Sequence, residues 1–90
     1  MQRAHIVVHG LVQGVFFRHY TKKTALSLGL KGYVRNMPGG TVEVVAEGGK
    51  EQLNELVEFC KKGSEGAEVS KVDVKLSKAS NEFDGFELKY

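Results

Sequence analysis

Tryptophan is absent from this chain, proline and cysteine occur once each, and no unbroken apolar run exceeds three residues. The lone Cys60 has no partner within the chain, which excludes an internal disulfide framework and a thiolate metal cluster. A reducing compartment fits that usage. The first apolar run covers only Ile6, Val7 and Val8, far short of a signal-peptide core or a membrane span. A cytoplasmic protein with no membrane partner is the expectation. Charge of one sign is also scarce, since thirteen Lys and Arg against eleven Asp and Glu leave a formal +2. That surplus is too small to argue for a nucleic-acid partner. Repeats, linkers and low-complexity segments are missing, and no paired carboxylates call for Mg²⁺.

What is present is ordinary globular composition, 41% hydrophobic and 27% charged over 90 residues, enough for one domain, residues 1–90, with one small core. Function then has to sit on the surface or in a shallow cleft. Ile6, Val7 and Val8 read as a buried strand ending at residues 10–12. Phe17, Tyr20, Thr24, Ala25 and Leu28 recur at helical spacing, with Gly29 as the stop signal. Residues 33–37 read as a second strand, Pro38-Gly39-Gly40 as a turn, and residues 41–47 as a third strand with Val42, Val44 and Ala46 on its one buried side. Leu53, Leu56, Val57 and Cys60 predict a second helix closed by Gly63, its Lys50, Glu51, Glu55, Glu58 and Lys62 side solvated. Alternation resumes at Val72, Val74 and Leu76, then at Phe86, Leu88 and Tyr90, across a polar loop at residues 81–85. The order β-α-β-β-α-β-β predicts an α+β fold. It is a ferredoxin-like sandwich of one mostly antiparallel sheet with both helices on one face.

Residues 10–18, reading GLVQGVFFR, carry the most chemistry. They set a glycine-bearing turn between strand and helix and deliver Arg18 to the helix's first turn. N–H groups left unpaired at a helix start, with glycine permitting close backbone approach, make an anion site. Arg18 adds a forked, permanently charged donor. A cation there opposes the helix dipole, which argues for an anion beside it rather than for an ordinary surface arginine. Asn36, read on its own, is a turn-forming residue ahead of Pro38.

Residues 10–18 together with Gly32-Tyr33-Val34-Arg35-Asn36 resemble the two signatures of the acylphosphatases, small enzymes that hydrolyse the carboxyl–phosphate bond of acyl phosphates. The similarity runs on through Val42-Glu43-Val44, Glu47-Gly48 and Gly85-Phe86-Glu87. Two motifs at the expected separation are far more specific than one glycine pattern. Departures fall at Gly39 and residues 63–67, both loop positions. The resemblance implies an acyl phosphate substrate, inorganic phosphate and a carboxylate as products, Arg18 on the substrate phosphate and Asn36 on the attacking water. The reading that follows is a monomeric hydrolase that uses no cofactor and no metal.

Elementary chemistry is consistent with so small a set of groups. An acyl phosphate is a mixed anhydride whose carboxylate leaves readily, so general acid catalysis is dispensable and positioning is what remains. Arg18 can donate two parallel hydrogen bonds to phosphate oxygens while the N–H groups of Gln13, Gly14, Val15, Phe16 and Phe17 take the others. Asn36 does not titrate, so it orients water through its carbonyl and does not abstract a proton.

The remaining candidates read as structure. His5 and His9 share one strand face but have no third ligand of known position, and His19 adjoins Arg18 on a helix expected to turn it elsewhere. Solvated or packed histidines are the better account. Tyr33 and Phe86 read as core or rim aromatics, and Lys22, Lys23, Lys31 and Arg35 as a solvated basic face. Two rival functions stay open. An RNA-binding module shares this architecture, and Lys31-Gly32-Tyr33-Val34 echoes the opening of its signature, yet the aromatics that should follow are replaced by Arg35, Asn36 and Met37. A non-catalytic binder of phosphorylated carboxylates would keep Arg18-dependent affinity and show no turnover.

Overall fold

A computed structural model describes residues 1–90. The elements in chain order are β1 (Gln2–Leu11), α1 (Phe17–Ser27), β2 (Lys31–Asn36), β3 (Val42–Gly48), α2 (Lys50–Lys62), β4 (Glu68–Lys78) and β5 (Phe86–Lys89). One five-stranded sheet has the order β4-β1-β3-β2-β5. Every pairing is antiparallel except β2 with β5. The expected order of elements and the ferredoxin-like α+β class are what the chain adopts. No helix is long and apolar enough to cross a membrane.

The core lies between the sheet and its two helices. Ala4, Ile6 and Val8 of β1 and Val42, Val44 and Ala46 of β3 face Phe17 and Ala25 of α1 and Leu53, Leu56 and Cys60 of α2. Alternate strand residues point the same way, which is why those triplets form one apolar floor. Burial pushes the Cys60 thiol up to about 12, so it packs as a small apolar side chain and not as a nucleophile. Helix α1 stops as expected at Gly29: Gly29 N–H donates to Leu26 O at 3.1 Å and Leu30 N–H to Ala25 O at 3.0 Å, the paired bonds of a Schellman ending.

Three expectations need correction. The buried stripe of α1 is Phe17, Thr21 and Ala25, whereas Tyr20 is exposed. Thr21 is tolerated inside because its hydroxyl donates to Phe17 O at 2.8 Å, satisfying itself within the helix. Strand β3 is buried on both sides rather than one. Its outward-facing Glu43 and Glu47 are only 8% and 5% exposed. Finally, Val74 and Leu76 of the edge strand β4 alternate as expected but are exposed: only the first part of that strand, at Val69 and Val72, packs against the core.

The outer side of β3 is closed by cations and a loop. Glu47 accepts from Arg3 Nε at 2.8 Å, from Ser80 N–H at 2.8 Å and from Asn81 N–H at 3.0 Å. Burial works against its ionisation, but the Ser80 N–H, the Arg3 guanidinium and the Asn81 N–H outweigh that and hold its carboxyl down at about 2. Glu43 accepts from His5 at 2.7 Å, Arg35 at 2.6 Å and the Tyr33 hydroxyl at 3.2 Å. Each buried carboxylate is therefore paired, as burial of a charge requires.

Candidate active site

Strands β1, β2 and β5 run in one direction, since β1 and β2 flank the antiparallel β3 and β5 lies parallel to β2. Their C-terminal ends therefore gather at one end of the sheet. The turn after β1 opens there, Asn36 ends β2 there, and Lys89 ends β5 there.

The turn itself has the backbone geometry of a nest. Gly14 has φ 78°, with open space where a side chain would stand. Phe16, the residue capping α1, is left-handed at φ 60° and ψ 20°. A left-handed residue followed by a helical one rotates successive N–H groups inward into a concave nest. The first amide to find its helical carbonyl is Tyr20 N–H, 3.1 Å from Phe16 O. No side chain caps the amides ahead of it, and the first turn holds no acidic residue. Those donors remain free for a ligand.

Arg18 is held in place by the far end of the chain. Its Nη1 donates to Lys89 O at 2.8 Å, and its guanidinium lies 5.0 Å from the centroid of the Tyr90 ring. A guanidinium has five N–H donors, so one bond to a carbonyl leaves the fork free to engage an oxyanion. Gln13 braces the other wall, donating from Nε2 to Met37 O and Thr41 O, both at 2.9 Å, which ties the turn after β1 to the one after β2. Asn36 completes the arrangement. Its Oδ1 is buried and has no hydrogen-bond partner, a rare state for a buried acceptor and one that calls for an explanation.

These groups surround a cleft of about 420 Å³ lined by Val12, Gly14, Phe16, Phe17, Arg18, His19, Asn36, Leu88 and Tyr90. Of the residues singled out from the sequence, Gly14, Phe16, Phe17, Arg18 and Asn36 meet there. Gln13 and Val15 are not among the lining residues. His19 is a correction, because it faces this same cleft instead of turning away, with its ring edge-on to Tyr20 at 5.2 Å. His5 and His9 are hydrogen-bonded on the sheet instead, to Glu43 at 2.7 Å and Asp73 at 3.0 Å. No group of three or more His, Cys, Asp or Glu is placed to hold a metal ion. Arg35, read as part of a solvated face, is bonded to Glu43 at 2.6 Å. Sequence reasoning missed Leu88, Lys89 and Tyr90 as site residues. Their alternation marks a strand but not which strand it joins, and only the parallel pairing with β2 brings them to Arg18.

A profile of the acylphosphatase family matches residues 4–88. The chain belongs to the acylphosphatase family. It is 48% identical to the acylphosphatase of Pelotomaculum thermopropionicum across 98% of this chain and 96% of the relative. Its structure matches the crystal structure of acylphosphatase from Bacillus subtilis with a TM-score of 0.96 at 36% identity, covering the whole of both chains. The fold also superposes on HypF from T. kodakarensis with a TM-score of 0.84 at 31% identity, where it spans 12% of that chain. As an acylphosphatase, the chain is an enzyme whose family chemistry is the hydrolysis of acyl phosphates.

Proposed function

We propose that this acylphosphatase works as one 90-residue domain, monomeric and cytoplasmic, and cleaves its substrate without metal by holding the phosphoryl group against α1. The N–H groups of residues 13–17 and the Arg18 fork receive the phosphoryl oxygens. Asn36 Oδ1 accepts a hydrogen bond from a water molecule and aims its oxygen at phosphorus, opposite the carboxylate that leaves. Water adds as the phosphorus–oxygen bond to the acyl group breaks, and the water's proton passes to a phosphoryl oxygen. Arg18 and the amides stabilise the charge of the transferring group throughout.

The observation that carries this reading is the unpartnered, buried Asn36 Oδ1 at the wall of the cleft that Arg18 also lines. A carbonyl with no protein donor keeps its acceptor capacity unused, which supports the reading that Asn36 receives the O–H of the attacking water. The test is phosphate release from a model acyl phosphate with a chelator present, comparing the parent with Arg18→Ala and Asn36→Ala. Arg18→Ala loses about 3 kcal/mol or more of barrier lowering and weakens inhibition by inorganic phosphate. Asn36→Ala lowers kcat with little change in KM. Full activity in either variant would refute the role given to that residue.

A further inference from the structure

Val15 faces two ways in the turn after β1. In the reading above its N–H belongs to the run that receives the phosphoryl oxygens, yet it is not among the residues that line the cleft. Its isopropyl group is half-buried and packs against the core behind the turn. That packing matters because N–H groups left free for a ligand give the turn no hydrogen-bonded ladder of its own. The concave shape has to be held from outside.

Behind the turn lie α2 and the connection that leads from α2 into β4. None of their residues lines the cleft, but they meet the turn at its entry, middle and exit. At the entry Leu11 pairs with Glu68, and Gly10 comes so near β4 that a Cβ there would collide with Glu68 O. At the middle Gly66 lies against Val15, and a Cβ on Gly66 would stand 4.0 Å from Val15 Cβ, in ordinary contact. At the exit the Phe17 ring stacks on Phe59 of α2 at 5.8 Å. The connection is itself braced, since Ala67 N–H donates to Ser64 O at 3.0 Å and both Ala67 and Val69 pack on the core. Residues 63–67 are also one of the two places where the sequence departs from the acylphosphatase pattern.

Resting on the phosphate-cradle reading, we propose that the α2–β4 connection is a buttress for the cradle, with the Val15 side chain and Gly66 as positioning residues for the bound phosphoryl group. Gly66 supplies the support from behind, and Val15 carries it into the turn. Neither the Val15 side chain nor Gly66 touches the substrate. Close-packed groups transmit a displacement instead of absorbing it, so a shift at Gly66 or a void at Val15 moves the amides on the far side of the turn. Binding groups misplaced by about 1 Å lose up to two orders of magnitude in effect. The departure at residues 63–67 then sets how firmly this chain grips phosphate.

The experiment measures the inhibition constant of inorganic phosphate in the parent, Val15→Ala, Gly66→Ala, the double variant and Leu28→Ala. An inhibition constant is read from folded molecules only, so lost stability alone does not move it. It rises about tenfold in Val15→Ala, and to a similar extent in Gly66→Ala, where alanine is strained at φ 87° and the connection shifts. The double variant is no worse than the weaker-binding single one, because both changes remove the same support. Leu28→Ala truncates a side chain packed on the same core at the far end of α1, and it lowers the urea midpoint while leaving the constant at the parent value. An unchanged constant in Val15→Ala or in Gly66→Ala overturns the buttress, as does an equal rise in Leu28→Ala or a double variant that loses the product of the two single effects. A parent that phosphate does not inhibit refutes the cradle itself, an outcome distinct from inhibition that survives both substitutions.

Discussion

Arg18 illustrates how little a single side chain decides alone. Its position in the first turn of α1 is electrostatically poor, since the helix dipole puts partial positive charge at that end. The chain compensates with the Lys89 carbonyl at 2.8 Å and the face of Tyr90 at 5.0 Å, which offer electron density to the guanidinium without neutralising it. The result is a cation whose orientation is set in advance while its charge stays available to an anion. Replacing Tyr90 by leucine removes the ring face and leaves the Lys89 carbonyl. Inhibition by inorganic phosphate is expected to weaken about two- to fivefold, the value of an exposed cation–π contact, with kcat reduced by no more than that factor. An inhibition constant identical to the parent's would show that the ring does not hold Arg18. Gln13 belongs to the same scale. Its side chain is spent on Met37 O and Thr41 O, so any service to phosphate has to come from its backbone.

At the scale of elements, the site depends on how closely β2 approaches β3. A Cβ added to Gly32 would lie 1.8 Å from Val45 O, and Gly32 itself sits at φ 144°. No side chain fits there without moving one strand away from the other. Gly32→Ala is therefore expected to cost about 3 kcal/mol or more, read as a lower urea midpoint. It should also lower activity in the folded fraction, because Asn36 rides on the end of the displaced strand. A variant with parent stability would contradict the tight approach. The glycine of the second signature, Gly32, thus has a structural reason of its own, distinct from the water-orienting part proposed for Asn36. Much of this level was legible beforehand: the helix stop at Gly29, the turn at Pro38-Gly39-Gly40 and the apolar spacing of α2 all follow from local rules. The exchange of Tyr20 for Thr21 on the buried face of α1 was not. A threonine hydroxyl looks polar in a one-dimensional pattern, and only its bond to Phe17 O makes it an acceptable core group.

For the molecule as a whole, the two carboxylates on the outer side of β3 connect stability to pH. Glu47 is held at about 2 against an ordinary 4.5, so its stabilisation is complete above 4.5 and disappears as the pH falls through about 2. Glu43 is lowered as well: its burial opposes ionisation, and the His5 and Arg35 hydrogen bonds outweigh it. Unfolding midpoints in urea should hold steady near neutral pH and decline as acid is added from about 4.5 toward 2. Glu47→Gln should flatten that decline and lower the neutral-pH plateau, because Arg3 then keeps only Glu82 of its two carboxylate partners and the Ser80 and Asn81 N–H groups lose a charged acceptor. A parent profile with no decline in that window would contradict the pairing. Glu47 also fastens the loop at Ser80 and Asn81 that leads into β5, so the strand carrying Lys89 and Tyr90 is anchored from the opposite side of the sheet.

By itself the sequence determined the element order, the α+β class, the glycine-bearing turn at residues 10–18 and the placement of Arg18 in a first helical turn. Those follow from apolar periodicity and glycine positions, which act over a few neighbouring residues. Only the tertiary structure decided that β3 is covered on both sides, that β5 lies parallel to β2, and that His19, Leu88 and Tyr90 share a cleft with Asn36. Such contacts join residues far apart in the chain, 71 positions for Arg18 and Lys89, and no local pattern specifies which strand edge a distant strand will choose.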